Sequence, residues 1–342
     1  TWAIIITSLS TSTIITLSST HWLLAWLGLE LNTLSMLPIL IKPHHPRATE
    51  ATTKYFIIQA TSAAIILFAS TLNAWETGQW HITSTSSTAA ATMLTAAIAL
   101  KLGLAPMHFW YPEVLQGSTM STALVISTWQ KIAPLTLLYL TLNHLPTTGL
   151  LLIGLTSVLI GGWTGLNQTQ TRKILAFSSI AHMGWVITAL SLSPSLATLT
   201  LLTYMMMTTT MFMSLNTTLS KTLTDIGTSW SHSPALTTAT MFTLLSLGGL
   251  PPLTGFMPKW LILKELTMTG LITASTTLAL ATLPSLFFYT RMVYLTTLTT
   301  PPSTSNIEQK WRFKTNHASN LSPTIALSMM LLPTTPLLYM TL

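Results

Sequence analysis

Four ionisable side chains stand deep inside apolar stretches: Glu30 in "WLGLELNTL", Lys101 in "ALKLGLAP", Lys131 in "STWQKIAPL" and Lys259 in "GFMPKWLIL". A charge at mid-bilayer costs roughly 2.5–3.5 kcal/mol on insertion scales, so such sites are expected to face a bundle interior, paired or hydrated. The chemistry open to them is proton exchange. Glu30 is the one acid available to three buried lysines. A carboxylate ~4 Å from an ammonium group gains about 4 kcal/mol at an effective dielectric near ~20. Without such a partner, dry surroundings favour release of the proton. All three deep cations are lysines, which can release a proton, and none is an arginine, which cannot. His108 and His182 ("SSIAHMGWV") are further titratable groups within apolar runs, open either to a proton path or to simple packing. The other sites have structural readings too: a carboxylate bonded to a neighbouring helix for Glu30, a fixed ion-pair partner for Lys101, polar packing beside Gln130 and Pro134 for Lys131, and snorkelling to an interface for Lys259.

These groups need a scaffold that hides them. Charged residues make up only 6% of the 342 positions, against roughly 25% in soluble domains, and the mean hydropathy is +0.58. Apolar runs of about 18–25 residues recur along the chain, which indicates an all-α polytopic membrane protein. Eleven spans are expected, near 3–20, 22–41, 52–73, 88–110, 119–142, 148–166, 173–192, 195–219, 236–263, 270–293 and 321–340. That count puts Lys42, Arg47, Lys54, Arg172, Lys173, Lys221, Lys310, Arg312 and Lys314 on one side, with Arg291 facing it, and only Lys264 on the other. Such an asymmetry sets orientation: N-terminus and basic loops on one side (the matrix, if mitochondrial), C-terminus on the intermembrane side. "PRATEATTKYF" reads as a helix start with Thr49 or Thr52 as cap.

Spans four and nine contain prolines, Pro106 in "KLGLAPMHFW" and Pro251, Pro252 and Pro258 in "SLGGLPPLTGFMPKW". Proline lacks a backbone donor, so both helices are expected to break there. Freed carbonyls are tolerated at membrane depth only beside protein or water-filled cavities. One integral membrane domain follows, made of a five-helix unit (1–143), a second such unit in inverted orientation (144–296), and a polar loop with a C-terminal helix (297–342). Each unit would break in its fourth helix, a transporter pattern.

Cysteine is absent, which removes disulfides, thiolate ligands, iron–sulfur clusters and thiol nucleophiles. No histidine spacing suggests haem, and no basic stripe interleaved with aromatics suggests nucleic acid. Nothing basic precedes the first apolar run, so no cleavable presequence is expected. The richness in Leu, Thr and Met resembles that of organelle-encoded proteins.

The stretches "HWLLAWLGLELNTLSMLPI", "KLGLAPMHFWYPEVLQG", "GGWTGLNQTQTRKILAFSSIAHMGW" and "LLSLGGLPPLTGFMPKW" resemble the subunit 2 family of mitochondrial NADH:ubiquinone oxidoreductase, the respiratory complex I, in its vertebrate form. The resemblance implies the antiporter-like fold of the membrane arm, shortened by three helices as in animals, with a few residues missing before Thr1. It further implies a Glu30–Lys101 pair, a central Lys131 and a second-break cation at Lys259, serving proton translocation across the inner mitochondrial membrane. Flavin, iron–sulfur clusters and ubiquinone would reside in other subunits, leaving no cofactor or metal here. Membrane lipids, the small subunit 4L and the antiporter-like subunit 4 would be its neighbours. Two other classes stay open: a stand-alone cation/proton antiporter, and a non-pumping scaffold.

Overall fold

The structure is a computed structural model that describes residues 2–85, 87–231, 233–298 and 321–341. The polar segment with Lys310, Arg312 and Lys314 therefore lies outside the described residues. The rest is helical: α1 (Trp2–Ser18), α2 (Trp22–Ile41), α3 (Pro46–Thr77), α4 (Thr88–Leu102), α5 (Trp110–Gly117), α6 (Met120–Ser127), α7 (Ile132–Thr141), α8 (Thr147–Gly165), α9 (Thr171–Leu192), α10 (Pro194–Thr218), α11 (Leu223–Thr228), α12 (Pro234–Gly248), α13 (Phe256–Met268), α14 (Ile272–Thr297), α15 (Leu321–Met330) and α16 (Thr335–Thr341).

Seven helical stretches among the described residues are long and apolar enough to cross a membrane: α2, α3, the Met120–His144 run that holds α6 and α7, α8, α9, α10 and α14. Of the other four expected spans, α1 is apolar but shorter, and the remaining three are divided. Span four separates into α4 and α5, span nine into α12 and α13, and the C-terminal span into α15 and α16. The run from Met120 is also interrupted, by a 3-10 turn at Trp129–Lys131, where Pro134 lacks the N–H that would bond the Gln130 carbonyl. The chain divides into two compact units, Thr1–Ser157 and Val158–Leu342. In the first, α2 packs between α1 and α3, and α3 packs on α4 and α5. In the second, α9 packs on α10 and α12 on α14. An 18-residue window of α9 is 94% buried, so this apolar-all-round helix is the core of its unit.

Serine and threonine are frequent in these helices because their hydroxyls are satisfied locally. Those of Thr13, Thr16, Ser62, Thr188 and Thr210, among many, donate to the carbonyl three residues back at 2.7–2.9 Å. The start of α3 differs from the sequence expectation. His45 is its N-cap, with Nδ1 accepting from the Arg47 N–H at 3.1 Å, and Pro46 fills the first turn. Thr49 and Thr52 bond backward instead, to Pro46 and Thr49 carbonyls.

Both interrupted helices end in the same way, and glycine ends them. Gly103 has φ +70° and Gly249 φ +83°, a conformation that costs a side-chain-bearing residue about 1–2 kcal/mol. The N–H of Gly103 donates to Leu100 at 3.2 Å and that of Leu104 to Ala99 at 2.9 Å. The N–H of Gly249 donates to Ser246 at 3.0 Å and that of Leu250 to Leu245 at 3.4 Å. This paired closure is the Schellman pattern. Pro106, Pro251 and Pro252 follow these stops and keep the helix from resuming. Pro258 falls in the first turn of α13, where no N–H is needed.

Candidate functional site

Breaking a helix exposes carbonyls that its next turn would otherwise use, so each break creates a partly negative end inside the bundle. A lysine stands at each of these ends, buried at the first and half-buried at the second. In the first unit Lys101 occupies the last turn of α4 and is 6% exposed. Its Nζ lies 3.5 Å from both the backbone oxygen and the Oε1 of Gln59, and the Gln59 Nε2 donates back to the Lys101 carbonyl at 3.4 Å. Gln59, buried on α3, therefore clamps both ends of this lysine.

Glu30, from α2, is half-buried, and its Oε2 is buried without a hydrogen-bond partner. Its helix packs on α3, which carries Gln59 and Tyr55. No direct ion pair joins Glu30 to Lys101, however; the ion pairs among the described residues are those of Lys54 with Glu50 and Glu113. Gln59 takes the place at Lys101 that the sequence assigns to the carboxylate.

Lys131 closes the 3-10 turn between α6 and α7 and is 3% exposed. Its Nζ sits 5.1 Å from the centre of the Tyr111 ring, within cation–π range. The preceding Gln130 reaches two other helices: its Nε2 donates to Asn32 Oδ1 on α2 at 2.9 Å, and its Oε1 accepts from the Tyr55 hydroxyl on α3 at 3.5 Å. His108 lies in the irregular stretch between α4 and α5. It is buried, stacked on Phe109 at 4.5 Å, with Nδ1 lacking a hydrogen-bond partner.

In the second unit the lysine comes from the downstream half of the broken helix. Lys259, on α13, donates from Nζ to the carbonyl of Gly248 at 2.9 Å and approaches that of Leu247 at 3.4 Å. It thereby caps α12 across the break. Lys259 and His182 line one cavity with room for about one water molecule, together with Thr200, Thr203 and Tyr204. On its other side the His182 Nε2 meets the Tyr289 hydroxyl at 3.4 Å.

The structure thus gathers Glu30, Lys101 and Lys131 in one unit and Lys259 with His182 in the other. Gln59, Asn32, Tyr55, Tyr204 and Tyr289 escape the sequence reading. Gln59 and Asn32 carry a signal, being lone carboxamides inside apolar runs. The tyrosines have none, since a ring buries well with or without its hydroxyl engaged.

Comparison with known proteins separates this arrangement from other lysine-bearing bundles. Residues 19–284 match the family described as "NADH:quinone oxidoreductase/Mrp antiporter, TM", and residues 286–339 match "NADH dehydrogenase subunit 2 C-terminus". NADH-ubiquinone oxidoreductase chain 2 of Carassius auratus is 55% identical over 97% of this chain and 96% of its own length. The chain 2 protein of Xenopus laevis is 52% identical over 98% of each. The chain belongs to the NADH-ubiquinone oxidoreductase chain 2 family. As a chain 2 protein it is a multi-pass membrane subunit of complex I. Its fold is that of an antiporter-like chain: a chain of respiratory complex I from Thermus thermophilus, solved with bound aureothin, superposes with TM-score 0.86 at 25% identity, covering 99% of this chain and 79% of that one.

Proposed function

We propose that this chain 2 protein contributes to proton translocation across the inner mitochondrial membrane, coupled within complex I to electron transfer from NADH to ubiquinone. Glu30, Lys101, Lys131 and Lys259 carry or gate the protons, with His108 and His182 on the path. The single observation that carries this is the placement of Lys101 and Lys259 at the carbonyl ends of two broken helices. A carbonyl end stabilises an ammonium group without neutralising it, by up to ~2 kcal/mol in partly buried sites. A neighbouring charge of similar energy then decides whether the proton stays. No ion pair locks Glu30 to Lys101, so its influence in this scheme is adjustable, as a switch requires.

In this proposal eleven spans cross the membrane, and the glycine-ended breaks of α4 and α12 mark corresponding helices of two inverted five-helix units. Basic loops such as those at Lys42, Arg47 and Arg172 face the matrix. Redox centres and the ubiquinone site reside in other subunits, with the antiporter-like subunit 4 and the small subunit 4L alongside and lipid around the exposed faces. The two alternatives predict different behaviour. An independent antiporter drives sodium- or potassium-dependent proton flux when reconstituted alone, and a scaffold tolerates neutral replacement of its lysines.

The deciding experiment measures NADH:ubiquinone turnover and protons moved per electron pair in assembled complex I carrying Lys101→Met or Glu30→Gln. Reduced turnover with assembly retained is expected. Normal turnover and normal proton yield in both variants would overturn the pump assignment for this pair.

A further inference from the structure

We propose, building on the proton-carrier role argued for Lys101 and Lys131, that Gln130 is a positioning residue: with Asn32 and Tyr55 it forms a latch that sets where the Lys131 ammonium group points. A single 3-10 turn has poor hydrogen-bond geometry and little of its own to hold a fixed direction. The turn Trp129–Lys131 is held from outside. The carboxamide of Gln130 is engaged at both ends, by Asn32 on α2 at 2.9 Å and by Tyr55 on α3 at 3.5 Å. Both partners are buried, at 2% exposure each. Removing the carboxamide strands two buried polar groups, which costs more than the bonds themselves contribute.

The latch also ties the two lysines of this unit together. Tyr55 and Gln59 lie one turn apart on one face of α3. Tyr55 reaches the Lys131 turn through Gln130, while Gln59 holds the Lys101 Nζ at 3.5 Å. A movement of α3 is therefore felt at both lysines together. Asn32 belongs to α2, the helix that carries Glu30, so the third proton carrier of this unit is anchored to the same turn. The titratable groups on the elements around the turn include Glu30 of α2, Tyr55 of α3, Lys101 of α4, Tyr111 of α5 and Tyr139 of α7, with Lys54 of α3 and Glu113 of α5 paired to each other; α1, which also packs on α7, carries none.

The test uses intact complex I carrying Gln130→Leu, which keeps side-chain bulk and removes both hydrogen bonds, with Lys131→Met measured alongside. Assembled Gln130→Leu complex is expected to lose about three- to tenfold in NADH:ubiquinone turnover. It should also show a displaced pH–rate profile, while NADH oxidation by an artificial acceptor ahead of the membrane arm is unchanged. Unaltered turnover and profile, or lost turnover with the profile unmoved, overturns the latch. If Gln130→Leu does not assemble, Tyr55→Phe removes one hydroxyl and keeps the ring, and the same two outcomes decide. Should Lys131→Met itself run and pump normally, the proton-carrier role fails first. A defective Lys131→Met beside a normal Gln130→Leu sinks the latch alone.

Discussion

The ammonium group of Lys259 lies 2.9 Å from the carbonyl oxygen of Gly248, so a side chain from one half of a broken helix closes the end of the other half. The arrangement depends on bare backbone around it. A Cβ on Gly249 would stand 2.8 Å from the Lys259 Nζ, and one on Gly255 would stand 1.8 Å from the Ser246 carbonyl oxygen.

Gly249→Ala is expected to cost about 1–2 kcal/mol for the left-handed backbone alone and to push the ammonium group off its carbonyl. Gly255→Ala should be worse, since rigid backbone blocks it. Native gels and turnover of the assembled complex rank the two. Equal, full activity in both would show that the break tolerates being opened.

Gln59→Leu removes the Oε1 acceptor from Lys101 and the Nε2 donor from its carbonyl. Hydrogen bonds to charged groups contribute about 1.5–3 kcal/mol, so assembled complex should lose turnover by at least severalfold. Gln59→Glu would instead bring a carboxylate where the sequence alone places Glu30, holding Lys101 protonated. Turnover should fall there too, with Lys101 fixed in place of loosened, and infrared difference spectra of the lysine separate the two.

Arg291 on α14 donates from Nη1 to the carbonyl of Leu166 at 2.7 Å, closing the end of α8. Arg291→Ala should destabilise the subunit by about 1.5–3 kcal/mol without touching the lysines. The signature is a lower thermal midpoint of the complex with normal proton yield per electron pair.

Burial alone would raise the Asp225 carboxyl. The backbone N–H groups of Thr222 and Lys221, the Thr222 hydroxyl and the Lys221 charge together outweigh this and hold it below its ordinary 3.8. A group lowered on folding adds stability above its unfolded value and loses it as the pH falls through the folded one. The turn around α11 should therefore be fully protected at neutral pH and open progressively below about pH 4. Hydrogen exchange of residues 221–228 reads this directly, and Asp225→Asn should remove the pH dependence along with part of the protection.

Lys54 bridges Glu50 on its own helix and Glu113 on α5, the latter at 2.7 Å, with all three side chains substantially exposed. Exposed pairs contribute about 0–1 kcal/mol. Lys54→Ala should leave turnover and assembly unchanged at physiological salt, and a measurable loss would mean that α5 relies on this tie.

Most of the spans are legible because apolar length and loop charge are properties of composition: α2 begins and ends where the hydropathy says. Breaks are legible only as places. The prolines of "LAPMHF" and "GGLPPL" point to the right segments, but the stops are made by Gly103 and Gly249, whose positive φ no hydropathy reading reports. The interruption at Trp129–Lys131 is signalled only by Pro134, which cannot donate to the Gln130 carbonyl, and a reading by apolar length passes over it. Among the candidate site residues, charge in an apolar setting points to Lys101, Lys131 and Lys259. Their partners do not follow, because a carboxylate attracts attention by its charge whereas Gln59 and the Gly248 carbonyl act through position.

The hydroxyls that fold back onto their own helices have a consequence for how this chain can vary. A threonine whose oxygen is already bonded three residues behind it asks nothing of the lipid or helix beside it, so Ala or Val can replace it on an outward face without leaving an orphan. Long stretches of α1, α3 and α14 are therefore free to drift. Asn32, Gln59 and Gln130, each engaged with another helix, have no such freedom.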